Sequence, residues 1–175
     1  DDEGDEEAIE AFLISYANAV QKHHESQRDR LIESSVGRMD AITAKFAENT
    51  RIAREYLFAH DIEDKSRRRF VRRYRSALVF IESYRELPLL AWPRLLIDAI
   101  VEVESQMVMF RHRHARAVER IIGRRIGTGG SSGVDYLDKT TQIRIFTDLW
   151  TVRTLLLPKA LRPELQHPDF YGFQF

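Results

Sequence analysis

The chain has 175 residues, enough for one domain with a substantial core, and 43% of them are hydrophobic. Lys plus Arg balance Asp plus Glu at 27 each, which gives no pull toward a polyanionic partner, and the absence of cysteine excludes disulfides, thiolate metal sites and a cysteine nucleophile. No apolar run approaches the ~18 residues of a membrane span and no signal peptide is visible, so no membrane partner is expected and the cytoplasm is the default location.

The chain opens on DDEGDEE, without an initiator Met. These acids cannot pack a core, and the stretch reads as the interior of a longer polypeptide. Over residues 6–59 apolar side chains recur at helical spacing, at Ile9, Phe12, Leu13, Tyr16 and Val20 and again at Met39, Ile42, Phe46 and Ala53. The polar stretch 21–40 between them reads as helix or hinge. HDIEDKS (60–66) is a break, with Ser66 the expected N-cap of the next helix. That helix, 67–84, carries Phe70, Tyr74, Ala77, Leu78 and Ile81. RELPLLAWP (85–93) is a connector, and Pro93 suits a first helical turn.

The longest helical pattern runs over 94–122. Its stripe is Leu96, Ile100, Val103, Met107, Phe110, His114, Val118 and Ile121, in steps of three and four, which predicts a buried face with His114 on it. Gly123 suits a C-cap. The loop GTGGSSG (127–133) follows, then helix again over 136–157. Pro158 and Pro163 close that helix, and HPDFYGFQF (167–175) is an aromatic tail expected to dock on the body. With almost no strand signal and no internal repeat, the chain reads as an all-α helical bundle.

Several clusters invite chemistry. His114 is either a core histidine bonded to a neighbour or an axial ligand to haem iron. The second role wants a neutral imidazole on a rigid helix among large apolar groups, and Met107, Phe110 and Val118 have that spacing. Arg111 and Arg113 lie nearby and could pair with anionic propionates, although flanking arginines are usually just solvated. The glycine loop lacks the Lys-Ser/Thr ending of a P-loop and follows a helix, so a nucleotide site is disfavoured. Its glycines do permit close approach of backbone N–H groups and hydroxyls to a small ligand, and Thr128 suits the charged end of an amino acid. KSRRRFVRRYR (65–75) reads as a basic helix face balancing the acidic ones, at an oligomer interface, in preference to a nucleic-acid patch. His23 and His24 are adjacent and diverge on a helix, as do Glu102 and Glu104.

Arg111, His114, Val118, Arg120, Ile122-Gly123, the GTGGSSG loop and Tyr136-Leu137 together resemble the tryptophan 2,3-dioxygenase family, whose motif reads R-x-x-H, V-x-R-x-[IL]-G, GTGGSSG-x-x-YL. RRFVRRYRSALVFIESYRELP and DLWTVRTLLLP resemble two further segments of that family, so the likeness is good over about 67–158 and is helical character alone before it. The resemblance implies an all-α haem-dioxygenase fold with haem b as cofactor. His114 would be its axial iron ligand, with Arg111, Phe110, Met107 and Val118 around the macrocycle. Thr128 would contact the amino-acid end of the substrate, with Gly127, Gly129 and Ser131 shaping the loop. It implies a role in tryptophan catabolism along the kynurenine pathway: dioxygen inserted across the indole C2–C3 bond of L-tryptophan or a related indole, giving an N-formylkynurenine-type product. The family's distal-histidine pattern H-Q-x-x-E-L-W-F-K and its P-A-S-G-F-Q-S segment do not occur in these residues. The expectation is therefore a C-terminal part, with 1–66 a helical lead-in at an interface or lid and 67–175 the haem-proximal core. It would work with an N-terminal partner segment or chain in an oligomer. The alternatives are another haem-dependent aromatic oxygenase of the same superfamily and a non-catalytic haem-binding module.

Overall fold

The computed structural model describes residues 2–34, 37–123 and 133–172, with side chains from residue 4 onward. Six α-helices appear in chain order: α1 (Asp2–Ser34), α2 (Met39–Leu57), α3 (Lys65–Ser83), α4 (Ala91–Ile122), α5 (Val134–Thr140) and α6 (Thr147–Thr151). Short 3-10 turns occupy Pro88–Leu90, Val152–Leu155, Lys159–Leu161 and Pro168–Tyr171, and the described residues contain no strand. The all-α expectation is met. Among the described residues, no helix is long and apolar enough to cross a membrane.

The chain divides into two compact units, Asp1–Ala91 with Thr151–Phe175, and Trp92–Trp150. In the first, the polar stretch 21–40 is helix as far as Ser34, where α1 ends; the chain turns at Gly37 and α2 returns along α1. Leu13, Tyr16 and Val20 of α1, Ala53 and Leu57 of α2, Val79 of α3, and Val152 are all at most 2% exposed, so one stripe from each element makes the core. The Tyr16 hydroxyl sits inside it, 2.8 Å from Ser83 Oγ, and donates to the Leu155 carbonyl at 3.1 Å. His24 Nδ1 lies 2.8 Å from Thr50 Oγ1 and ties α1 to α2.

The N-cap of α3 is Asp64, not Ser66: its carboxylate accepts from Arg67 N at 2.7 Å. Asp caps as well as Ser, and propensity alone does not choose between candidates two residues apart. The aromatic tail docks through Tyr171, whose ring centroid lies 5.4 Å from Phe80, while Phe170 is 70% exposed.

The basic run is spent on α1. Arg69 and Arg72 bond Glu6 at 3.0 and 2.5 Å, Arg72 also bonds Glu10 at 2.8 Å, and Arg73 reaches Asp5 at 3.4 Å. Arg75 is buried, bonded through Nη1 and Nη2 to the Asp61 carboxylate at 2.6 and 2.9 Å and stacked over Tyr56. The acids of α1 thus offset Arg69, Arg72 and Arg73, as a basic face balancing an acidic one would. Bonds from Arg69 and Arg72 hold the Glu6 carboxyl below its usual range. Their contribution is therefore present above the ordinary carboxylate range and lost as pH falls through the lowered value. Arg72→Ala should cost under ~1 kcal/mol at low salt. The cost should shrink further near 1 M salt, where the screening length is only ~3 Å. Urea midpoints at both salt concentrations, at neutral pH and near pH 3, measure it.

The 3-10 turn Pro88–Leu90 leads directly into α4, so Pro93 lies within the first turn as its missing N–H permits. Gly123 closes α4 at φ +62°, its N–H bonded to Glu119 O at 2.9 Å. The continuous helix expected over 136–157 is instead α5, an irregular stretch, α6 and the 3-10 turn. The reason is side-chain capture: Glu104 takes the N–H groups of Ile145 and Phe146, which a helix would need for itself.

Candidate functional site: a histidine on a bare apolar helix face

Helix α4 carries two faces. Ile97, Val101, Glu104 and Ala115 are buried. They follow steps of four, three and eleven residues, so at ~100° per residue they share one side of the helix. The stripe picked out by periodicity lies about a quarter-turn or more away and is not core. Leu96 is 47% exposed, Ile100 37%, Val103 55%, Met107 38%, Phe110 67% and Ile121 82%; His114 is exposed as well, and Val118 is half-buried. Spacing finds an apolar face; it does not say whether another segment covers it. No described segment does so here.

The His114 ring is held without being used. It stacks on Phe110, centroids 5.8 Å apart and planes 9° apart. Among the described residues it makes no hydrogen bond, so the reading of a buried histidine satisfied by a neighbour does not hold. Arg111, one turn earlier, is half-buried and donates from Nη1 to the carbonyls of Thr140 at 3.2 Å and Ile143 at 2.9 Å. It therefore has a structural job in addition to any bound anion. Arg113 stays exposed, on a shallow concavity with His112, Arg116, Ala117 and Arg120. Of the loop residues, Gly127, Thr128, Gly129 and Ser131 lie outside the described residues. Gly133 is described: it stands at the N-terminus of α5 with φ +58°, a conformation open to glycine.

A haem fits these residues on three observations. The exposed His114 imidazole, with no hydrogen bond among the described residues, would be available to hold the iron. Met107, Phe110 and Val118 would give it an apolar surround on the same helix, as a macrocycle needs. The face is solvent-facing, so the ring would not have to displace a packed segment. No group of three His, Asp or Glu side chains among the described residues could hold a bare metal ion, and an axial haem ligand needs only one.

Sequence reasoning noted Glu104 only as diverging from Glu102 and missed its role. It is 1% exposed and accepts from Ile145 N, Phe146 N (3.0 Å) and the Trp150 indole N–H. Burial pushes its carboxyl upward, but the donors from Phe146, Trp150 and Ile145 and the Arg144 charge outweigh that and hold it below the usual range. The available signal was its register with Ile97 and Val101, which places a carboxylate on a second apolar face.

Fold and site define an all-helical protein that displays a histidine on an apolar helix face just ahead of a glycine-rich loop. Residues 2–156 match the family model for tryptophan 2,3-dioxygenase. The chain is 45% identical to the tryptophan 2,3-dioxygenase of Sorangium cellulosum, over 99% of this chain and 43% of that protein. It is 47% identical to a tryptophan 2,3-dioxygenase-like protein of Xanthomonas campestris, over 94% of this chain and 62% of that one, and 44% identical to tryptophan 2,3-dioxygenase 2 of Ralstonia nicotianae, over 95% and 46%. The chain belongs to the tryptophan 2,3-dioxygenase family. It spans about half the length of these relatives.

Proposed function

We propose that these residues form the proximal side of a haem-dependent dioxygenase site that opens the indole ring of L-tryptophan or a related indole. The observation that carries the reading is the exposed His114 imidazole, without a hydrogen bond among the described residues, on the bare apolar stripe of α4 in a chain of this family. His114 offers its ring nitrogen as the axial ligand. Phe110, stacked on it, restricts the ring's rotation, and Met107 and Val118 exclude water from the macrocycle edge. Arg111 would pair with a propionate through the part of its guanidinium that Thr140 and Ile143 do not take. When bound, haem supplies the activation of dioxygen. Thr128 holds the charged end of the amino acid, and Gly127, Gly129 and Ser131 let backbone N–H groups approach it. The opposite wall of the site comes from protein outside these 175 residues, on the same polypeptide or a partner in an oligomer; the absent distal-histidine pattern and the bare stripe both support this.

The test is spectroscopic first. Purified together with the protein that supplies the opposite wall, the chain should show a Soret band that shifts on reduction and should convert tryptophan to N-formylkynurenine. His114→Ala should retain less than about a tenth of the haem, because the one protein–iron bond is gone. Unchanged haem content in that variant would remove His114 from the site. Turnover of tyrosine or simple indoles but not tryptophan would move the substrate to another member of the superfamily.

A further inference from the structure

Helix α4 is fastened by polar side chains: buried Glu104, half-buried Arg111 and exposed Arg116. Glu104 takes three donors from 145–150, through the Ile145 and Phe146 N–H groups on Oε1 and the Trp150 indole on Oε2. Arg144 covers the Trp150 ring, 4.6 Å from its centroid. Seven residues further along α4, Arg111 holds the carbonyls of Thr140 and Ile143, and five beyond that, Arg116 pairs with Asp138. The holds run antiparallel: 104 with 145–150, 111 with 140–143, 116 with 138. His114 falls between the last two.

Such a set fixes the rotation of a helix more firmly than apolar packing does. Apolar contacts are non-directional and can re-form after a small rotation, whereas one carboxylate meets three N–H groups in a single register. Replacing buried ionic contacts by apolar ones is often neutral for stability, so a buried carboxylate is poorly explained by stability alone. Rotation matters at His114. Side chains end ~5–6 Å from a helix axis, so turning α4 by ~10° displaces the ring by about 1 Å. A working site tolerates only about half of that.

We infer that Glu104, through Trp150, is a positioning residue for His114: it sets the rotation of α4 and so the direction in which the imidazole is presented. This rests on the reading of His114 as the iron ligand. The test uses the haem-loaded ferrous protein and reads the iron–histidine stretching band by resonance Raman, with the thermal midpoint taken on the same samples. Glu104→Gln keeps an acceptor for Ile145 and Phe146 but turns an amide N–H toward the indole N–H. It should shift and broaden the band and speed haem loss about tenfold. Adding Trp150→Phe removes the opposing donor and should return most of the shift. Trp150→Phe alone, which deletes one donor and no charge, is the milder variant and should move the band in the same sense as Glu104→Gln, by less. A lowered thermal midpoint with the band unmoved in all three variants makes Glu104 a stability residue only and overturns the inference. A wild-type protein with no iron–histidine band, or a band that survives in His114→Gly, overturns the ligand reading and the inference with it.

Discussion

Glu104→Ala is expected to destabilise the protein by ~2–3 kcal/mol, since it removes a buried side chain and leaves three partly buried donors without their acceptor. Against a total stability of ~5–15 kcal/mol, that is a large fraction from one exposed-looking helix. The donors cannot turn to solvent easily. Two are backbone N–H groups, of Ile145 and Phe146, fixed by the course of the chain between α5 and α6, and the third is the Trp150 indole under Arg144. The effect has a pH signature. The folded Glu104 carboxyl lies below its ordinary value, so its contribution is complete above the ordinary carboxylate range and is lost as pH falls through the lowered value. Urea unfolding at neutral pH should show the full gap between wild type and variant, and the gap should narrow as pH approaches the acid limb. A gap below ~1 kcal/mol at neutral pH would mean that the segment 141–146 rearranges to hydrate its own N–H groups.

Tyr16→Ala is the second large effect, and Tyr16→Phe separates its parts. The ring is fully buried among α1, α3 and the Val152–Leu155 turn, so truncation opens a cavity and should cost ~3–5 kcal/mol. The phenylalanine variant keeps the volume and removes only the hydroxyl. It leaves Leu155 O without its donor and Ser83 Oγ without its partner, for ~1–3 kcal/mol. Burial pushes the Tyr16 phenol upward, so it remains a neutral donor throughout the working range and the two costs should not vary between pH 6 and 9. Thermal or urea unfolding of the pair measures both, and equal costs would mean that the hydroxyl, not the ring, carries the site.

Much of the architecture was legible beforehand. The helical period across 6–59, the break at 60–66, the helix after it and the long α4 with its Gly123 cap all stand where spacing put them, because 3.6-residue periodicity and cap chemistry are local properties of the chain. Arg69, Arg72 and Arg73 illustrate the limit. Their density suggests a surface for a partner, yet their partners are Asp5, Glu6 and Glu10, more than sixty residues earlier. No local pattern contains that pairing.

The sequence by itself determined the helical class, the identity of the histidine worth following and the family motif around it, since residue type and spacing carry all three. Only the tertiary structure decided which side of α4 is covered. The stripe of greatest apolar content was read as core, and it faces solvent. The side that is buried is the one where Glu104 finds three donors and Arg111 two carbonyls on a segment some thirty to forty residues later. Hydrophobic spacing measures how much a face would gain from a partner; whether a partner arrives depends on where the chain returns, and here polar contacts brought it back beside the histidine and left the histidine's own face open.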